Sequence, residues 1–129
     1  MDTLFKLINL IPESLQYQQK LVDMARQYLR SANCILTKTS LKIIGLLTPI
    51  STYVETKNVL ELVKYYFDYE DARVRSQAFS TIINLHERGI TLDPNIYLDV
   101  CKHLRDDYEI VRQVVLKVIW LLGVRYPEQ

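Results

Sequence analysis

The feature that most constrains this chain is an internal repeat in its second half. The stretch VLELVKYYFDYEDARVRSQAFSTIINL, which begins at Val59, aligns with IYLDVCKHLRDDYEIVRQVVLKVIWLL, which begins at Ile96, at an offset of 37 residues. Apolar positions agree along the alignment, with the spacings of three and four residues that are typical of helices. Each copy holds two apolar faces separated by a polar turn, so each is predicted to be a hairpin of two helices.

This repeat resembles the HEAT family of α-solenoids, in which two-helix units of about 40 residues recur. Here Val74-Arg75 and Val111-Arg112 open the second helices. Upstream, LVDMARQYLRSANCILTKTSLKIIGLL fits a degenerate copy, with Leu36-Thr37 in place of Val-Arg and no acidic residue at its turn. One hairpin cannot bury its apolar face alone, so hairpins stack into a continuous core. The predicted fold is therefore all-α, a HEAT-type α-α superhelix of about three helical hairpins plus an N-terminal helix remnant.

Proline, glycine and capping residues predict where the helices begin and end. Pro12 is expected to close a first helix, Thr56 to cap the third and Gly89 to end the fourth. Asp93 and Pro94 together are typical of a helix start. We expect a single domain over residues 1–129, with a helix tail at 1–11 and repeats at 13–52, 56–89 and 93–127.

The resemblance to HEAT repeats implies a polar ladder at the turns inside the hairpins. In that family, an acid at the turn and the Arg after Val tie adjacent repeats together. Asp106 and Arg112 hold these positions in the last repeat, whereas the copy with Arg75 has Tyr69 where the acid is expected. Asp68 or Asp71 is then the candidate acid. The expected ladder and turn residues are Asp68, Asp71, Val74, Arg75, Asp106, Val111 and Arg112.

The carboxylates near the last turn are also candidates for acid-base catalysis, but the sequence offers no nucleophile or pocket motif beside them. Cys101 and His103 lie two residues apart on a predicted helix and point in different directions, so they do not form a zinc site. No phosphate-binding glycine loop occurs. We expect no enzyme activity, no cofactor and no metal.

Charge gives little support for nucleic-acid binding, because the sequence contains 16 Lys and Arg residues and 15 Asp and Glu residues, which nearly cancel. The stretch KYYFDYEDARVR interleaves aromatic and basic residues, as RNA-binding surfaces do, yet its three acids offset the positive charge. We therefore do not expect direct nucleic-acid binding. Lys102, Arg73 and Arg105, together with Arg75 and Arg112, remain a candidate basic surface for a small anion.

The last helix is apolar on nearly all of its sides, which predicts that a further repeat or a partner covers it. Trp120 is expected to be buried within it. The apolar run VVLKVIWLLGV contains Lys117 and is shorter than the ~20 residues needed to cross a bilayer, so no membrane span is expected.

A closer resemblance rests on FDYEDARVRSQAFSTIINLHERGI followed by CKHLRDDYEIVRQVVLKVIWLLGVRYPE. These stretches resemble the N-terminal HEAT region of the Integrator subunit 4 family. The resemblance implies a non-catalytic scaffold in the nucleus, within the complex that cleaves small nuclear RNA precursors and terminates transcription by RNA polymerase II. Its implied partners are other Integrator subunits, especially the paired metallo-β-lactamase-fold cleavage subunits, which hold the zinc ions. A solenoid of a transport receptor or phosphatase scaffold, and an RNA-contacting solenoid, remain the alternatives.

Overall fold

Helical hairpins make up the described structure, a computed structural model that covers the backbone of residues 2–125 and the side chains of residues 15–122. No strand occurs within residues 2–125. The helices are α1 (Asp2–Tyr28), α2 (Cys34–Leu47), α3 (Tyr53–Lys64), α4 (Ala72–Glu87), α5 (Pro94–Cys101) and α6 (Glu109–Arg125), with one 3-10 turn at Tyr65–Asp68. The predicted all-α fold of stacked hairpins is confirmed.

The second helices of the hairpins form one continuous layer. α2 packs against α4 and α4 packs against α6, while α1 lies on α2 and α5 on α6. α3 reaches α4 chiefly through the 3-10 turn that follows it. Buried side chains from all three hairpins belong to a single apolar cluster, so no boundary between independent cores divides the described residues.

Two predicted helix ends are confirmed at the level of single hydrogen bonds. Asp93 Oδ1 accepts a hydrogen bond from the Ile96 amide at 3.0 Å and so caps α5. Gly89 follows α4 with a φ of 103°, a left-handed conformation that glycine adopts without a steric penalty. This conformation lets the Ile90 amide donate to the Leu85 carbonyl at 3.1 Å, which closes the last turn of α4.

The predicted helix end at Pro12 was wrong. α1 is a single helix of 27 residues from Asp2 to Tyr28, so residues 2–11 of the expected tail belong to the same helix as the residues after Pro12. A proline inside a helix removes one backbone hydrogen bond and crowds the carbonyl four residues earlier. The other backbone hydrogen bonds of a long helix, before and after the proline, can still form. The local penalty therefore does not end the helix.

The prediction that Thr56 caps α3, which set the start of the second repeat at residue 56, was also wrong. The cap is Thr52, whose Oγ1 accepts from the Glu55 amide at 3.1 Å while Glu55 Oε1 accepts from the Thr52 amide at 3.0 Å. This reciprocal capping box satisfies two amides at once. Thr56 instead donates its hydroxyl to the Ile50 carbonyl. α3 consequently begins at Tyr53.

Close packing and side-chain hydrogen bonds join α2 to α4. Gly45 lies so near α4 that a Cβ added to it would stand 2.6 Å from Thr81 Cγ2. The buried Thr81 hydroxyl donates to the Leu41 carbonyl at 3.2 Å. At the C-terminal end of α4, Arg88 donates to the carbonyls of Gly45 at 2.9 Å and Thr48 at 2.7 Å. The absence of a side chain at Gly45 thus sets how closely the first two hairpins approach.

α6 has one buried side and one exposed apolar side. Val111, Val115 and Val118 are fully buried against the core, but Leu116 is 57% exposed and Trp120 is 67% exposed. The prediction that Trp120 is buried was wrong, because within the described residues no helix lies beyond α6 to cover that side. Neither α6 nor any other described helix combines the length and apolarity needed to span a membrane.

Candidate functional site at the corner between the second and third hairpins

An ion pair between Arg75 and Asp106 ties the second hairpin to the third. Arg75 lies in the first turns of α4, and Asp106 lies in the turn between α5 and α6. Arg75 Nε donates to Asp106 Oδ2 at 2.9 Å and Nη2 donates to Oδ1 at 3.0 Å. This two-pronged geometry matches the planar guanidinium to the planar carboxylate, which makes it stronger and more directional than a single contact.

Further contacts hold the Arg75 guanidinium in place. Its Nη1 donates to the carbonyls of Tyr69 at 2.7 Å and Glu70 at 3.0 Å. The ring of Tyr108 lies 5.8 Å from its central carbon, within the range of a cation-π contact. Only 13% of the Arg75 side chain and 5% of the Asp106 side chain are exposed. The pair is therefore largely removed from solvent and from screening by salt.

The two charges favour each other's ionised form. The hydrogen bonds that Arg75 donates to Asp106 raise the pKa of Arg75 above its usual value. Burial acts to raise the pKa of Asp106, but the hydrogen bonds from Arg75 and from the Tyr108 amide outweigh it, so the pKa of Asp106 lies below its usual value. The Tyr108 amide donates to Asp106 Oδ1 at 3.0 Å, which also fixes the turn before α6.

His103 extends this cluster back to the second hairpin. Its Nε2 lies 2.9 Å from Asp68 Oδ1, and its Nδ1 lies 3.5 Å from Asp106 Oδ2. The ring also packs against Phe79, with the ring centroids 5.1 Å apart. Sequence reasoning missed this role, since it considered His103 only as a zinc ligand. The spacing of three residues between His103 and Asp106 is the local sign that was available.

The structure assigns different roles to the two acids proposed as partners of Arg75, so that expectation was wrong for both. Asp68 contacts His103. Asp71 caps α4 through the Arg73 amide at 2.8 Å and pairs with the Arg73 side chain at 2.9 Å. That hydrogen bond with Arg73 lowers the pKa of Asp71 well below its usual range. Neither acid replaces the missing carboxylate at Tyr69, because Arg75 pairs with the acid of the following repeat instead.

The Val-Arg pairs occupy equivalent places in the second and third hairpins. Val74 and Val111 are both fully buried. Arg112 Nη1 donates to the Asp106 carbonyl at 2.6 Å, six residues back, as Arg75 does to the Tyr69 carbonyl. Arg112 therefore contacts the backbone of its own turn, and its expected pairing with an acidic side chain is not made within the described residues.

The degenerate first copy also contacts backbone carbonyls near its own turn, but it has no arginine at this position. Thr37 stands at the Arg position, and its hydroxyl lies 3.3 Å from the Asn33 carbonyl, 3.4 Å from the Ser31 carbonyl and 3.5 Å from the Leu29 carbonyl. A threonine is too short to extend further, so the residue at this position does not tie the first hairpin to the second. Arg88 and Thr81 make that connection instead, through carbonyls of α2.

The three residues proposed as a basic surface do not converge on a common site in the structure. Arg73 is held by Asp71 in its own turn, and Lys102 lies 3.5 Å from Asp99, also in its own turn. Arg105 is exposed and forms no hydrogen bond or ion pair with the described residues. In addition, the Arg75 guanidinium is committed to Asp106 and two carbonyls. The described side chains also contain no group of three histidines, cysteines or acids suited to a metal ion.

Comparison with known proteins gives one consistent result. Human Integrator complex subunit 4 is 33% identical to this chain over 135 aligned residues, which cover 99% of the chain. The chain is homologous to a segment of Integrator complex subunit 4. The same subunit of Xenopus laevis is 31% identical over 99% of the chain, and that of Drosophila melanogaster is 30% identical over 88%. The resemblance predicted from the sequence motifs is confirmed.

The relatives are much longer than this chain, which spans 14% of the human and Xenopus proteins and 11% of the Drosophila protein. No protein-family model matches the chain. The homology therefore concerns this helical segment, and it says nothing about the remainder of Integrator complex subunit 4.

Proposed function

We propose that this chain is a scaffold segment of the Integrator complex in the nucleus, and that its helices help to organise the RNA-cleavage module without taking part in catalysis. The observation that carries the proposal is the homology over 99% of the chain to proteins named as subunit 4 of that complex. The processes served are 3′ processing of small nuclear RNA and termination of transcription by RNA polymerase II.

Exposed aromatic and aliphatic side chains on α3, on the 3-10 turn that follows it and on α5 support a role in protein binding. Tyr53 is 79% exposed, Tyr65 is 74% exposed and Leu98 is 62% exposed. Between α3 and α5 lies an open groove of about 840 Å³, lined in part by Tyr53, Leu60 and Ile96. Large aromatic side chains at a surface are enriched in protein interfaces, where they contribute much of the binding energy.

The proposed partners are other Integrator subunits, foremost the paired metallo-β-lactamase-fold cleavage subunits. The polar contacts at the corner between the second and third hairpins fit a scaffold role for this chain, with catalysis in the partner. Arg75, Asp106 and His103 are engaged with one another and with backbone groups of the turns, which suits a structural tie between hairpins. In this proposal, the zinc ions and the nucleophilic water belong to the cleavage partner.

Charge favours protein partners over RNA. Arg73 and Lys102, which an RNA backbone would need, each have a carboxylate neighbour in the same turn. Lys64 lies 2.8 Å from Asp99, and that hydrogen bond raises the pKa of Lys64. Because pairing reduces the positive potential available to phosphates, we propose no direct contact with RNA.

Affinity purification of the full-length protein from nuclear extract tests the proposal. One variant deletes this segment, and a second replaces four exposed residues of α3, the following turn and α5 with serine: Tyr53, Val54, Tyr65 and Leu98. The matched control replaces four exposed residues outside these elements with serine: Leu15, Tyr17, Met24 and Ile35. We expect recovery of the cleavage subunits to fall about tenfold for the first two variants and to stay unchanged for the control.

Circular dichroism of the 129-residue chain carrying the same substitutions checks that the helices persist. Full recovery of the cleavage subunits after deletion of the segment would refute a scaffold role for this region. Loss with the deletion alone would place the contact on another surface of the segment.

A further inference from the structure

The second helices of the hairpins carry exposed lysines that have no partner in this chain. α2 contains Lys38 and Lys42 and no acidic residue, and both lysines are exposed. Lys117 is exposed on α6. None of the three side chains forms a hydrogen bond or an ion pair with the described residues. These three positive charges are therefore free to pair with an external group.

The repeat places two of these lysines in one row. Residues 42, 80 and 117 occupy equivalent positions in the three hairpins, at offsets of 38 and 37 residues. Ser80 lies on α4, which packs against both α2 and α6. Packed helices stand about 8–10 Å apart, so Lys42 and Lys117 are about 16–20 Å from each other across the three helices. We call Lys42, Ser80 and Lys117 the lysine row.

An apolar groove between α4 and α6 includes part of this row. The groove has a volume of about 610 Å³, and its lining includes Ser80, Ile83, Lys117 and Trp120. Trp120 is 67% exposed, whereas Val111 is fully buried. Trp120 follows Val111 by nine residues, which at about 100° per residue is half a turn of the helix wheel. Trp120 therefore points away from the core.

Stacking of neighbouring hairpins leaves this face open. The equivalent of Trp120 in α4 is Ile83, 37 residues earlier, which remains partly exposed although α6 packs against α4. The stack runs from α2 to α4 to α6, so a further hairpin would lengthen the face at its edge without covering it. An occupant of the groove must therefore come from outside the stack.

The charges favour a protein segment over RNA as this occupant. An RNA strand carries a phosphate at every nucleotide and binds along a continuous basic path, whereas Lys42 and Lys117 are separated by the uncharged Ser80. Glu87, which also lines the groove, repels phosphates. An extended polypeptide spans about 3.3–3.6 Å per residue, so two carboxylates about five or six residues apart can reach both lysines.

We propose that the face of the second helices binds an extended acidic segment of another protein. One carboxylate of the segment pairs with Lys42, a second pairs with Lys117, and an apolar side chain between them enters the groove against Trp120. Lys38 adds a positive charge one turn before Lys42. Exposed ion pairs contribute little energy, so the apolar side chain supplies most of the affinity. The lysines select an acidic partner over a basic one.

This proposal goes beyond the proposed function and does not depend on it. The lysine row and the groove lie on α2, α4 and α6, whereas the surface proposed for the cleavage subunits lies on α3, on the turn after it and on α5. Loss of one contact therefore leaves the other measurable.

Photo-cross-linking of the full-length polypeptide in cell extract identifies the occupant. A small diazirine amino acid replaces Ser80, at the middle of the lysine row, and a control places it at Leu98, which is exposed on α5. We expect Ser80 to link to a segment of another protein with two acidic residues about five or six positions apart and an apolar residue between them. We expect no link from Leu98 to this segment.

Every other result of the cross-linking counts against the proposal. Mixing isotope-labelled and unlabelled polypeptides identifies links between copies. A link to RNA, to a second copy, to a segment of the same polypeptide or to a protein segment without the acidic pattern would overturn the proposal. The absence of any link from Ser80 would do the same.

Charge reversal tests the ionic contacts. Lys42→Glu combined with Lys117→Glu should lower the yield of the Ser80 link about tenfold. The matched control combines Lys20→Glu with Lys57→Glu, which reverses two exposed lysines on α1 and α3. This control should change the yield less than about twofold. Circular dichroism checks that both double variants keep their helices. Equal yields from the two would refute the role of the lysine row.

Fluorescence tests the apolar contact, because Trp120 is the only tryptophan of the 129-residue chain. A synthetic peptide with the sequence of the cross-linked segment should shift the emission of this exposed indole to shorter wavelength as it covers the ring. The same peptide with its acidic residues replaced by their amides should bind about tenfold more weakly. No binding, unchanged emission at saturation, or equal affinity of the two peptides would overturn the proposal.

Discussion

Replacing Asp106 with alanine tests whether the corner between the second and third hairpins stabilises the fold. The change removes both acceptors of the Arg75 guanidinium and the acceptor of the Tyr108 amide. Removing one partner of a buried ion pair costs about 3–5 kcal/mol, since the other charge stays buried without compensation. Arg75 retains the carbonyls of Tyr69 and Glu70, so we expect a loss near the low end, about 3 kcal/mol.

Asp107 provides the matched control, because it is the next residue, carries the same side chain and is exposed without a partner among the described residues. Asp107→Ala should change the free energy of unfolding by less than about 0.5 kcal/mol. Urea unfolding of the 129-residue chain, followed by circular dichroism at a helix band, measures both.

A double-mutant cycle with Arg75→Met isolates the pair itself. The double variant should lose less free energy than the two single variants together, with a coupling of about 2 kcal/mol. If Asp106→Ala costs no more than Asp107→Ala, the ion pair contributes nothing to stability and the reasoning from its burial is refuted. A zero coupling with two costly single variants would instead assign the losses to separate contacts.

Two further predictions concern pH and packing. The pKa of Asp106 is lowered in the folded state, so its contribution is present above the ordinary carboxyl pKa of 3.8 and is lost as the pH falls through the lower folded value. The difference in unfolding free energy between the native chain and Asp106→Ala should therefore stay constant from about pH 7 to about pH 5 and shrink at more acidic pH; a difference that grew on acidification would contradict this sign. Gly45→Ala should destabilise the chain by about 1–3 kcal/mol although alanine favours helices, because its Cβ meets Thr81 Cγ2 at 2.6 Å. Adding Thr81→Ser should restore part of that loss in urea unfolding, and a Gly45→Ala chain more stable than the native one would show that α2 and α4 separate at little cost.

Local chemistry was enough to predict the fold class and several helix ends. A cap such as Asp93 acts on an amide three residues away, and a glycine such as Gly89 acts on the turn that it closes, so both effects are contained in a short stretch of sequence. The 37-residue offset likewise predicted paired helices without any knowledge of how they pack. The predictions at Pro12 and Thr56 were wrong because a competing local pattern was more stable. At Pro12 the longer helix continued through the proline, and near Thr56 the reciprocal cap of Thr52 and Glu55 set the start of α3.

Tertiary structure decided which residues pair with each other at the corner between the second and third hairpins. The sequence placed Arg75 after the valine of one repeat and Asp106 at the acid position of the next, but it did not show that these two residues, 31 positions apart, pair with each other. It also required Asp68 to turn towards His103 rather than Arg75. Such contacts depend on the rotation and spacing between stacked hairpins, which are set by close packing at positions such as Gly45 and Thr81. For the same reason, the sequence showed that α6 is apolar, whereas only the stacking of the hairpins determined that Val118 is buried and Trp120 is exposed.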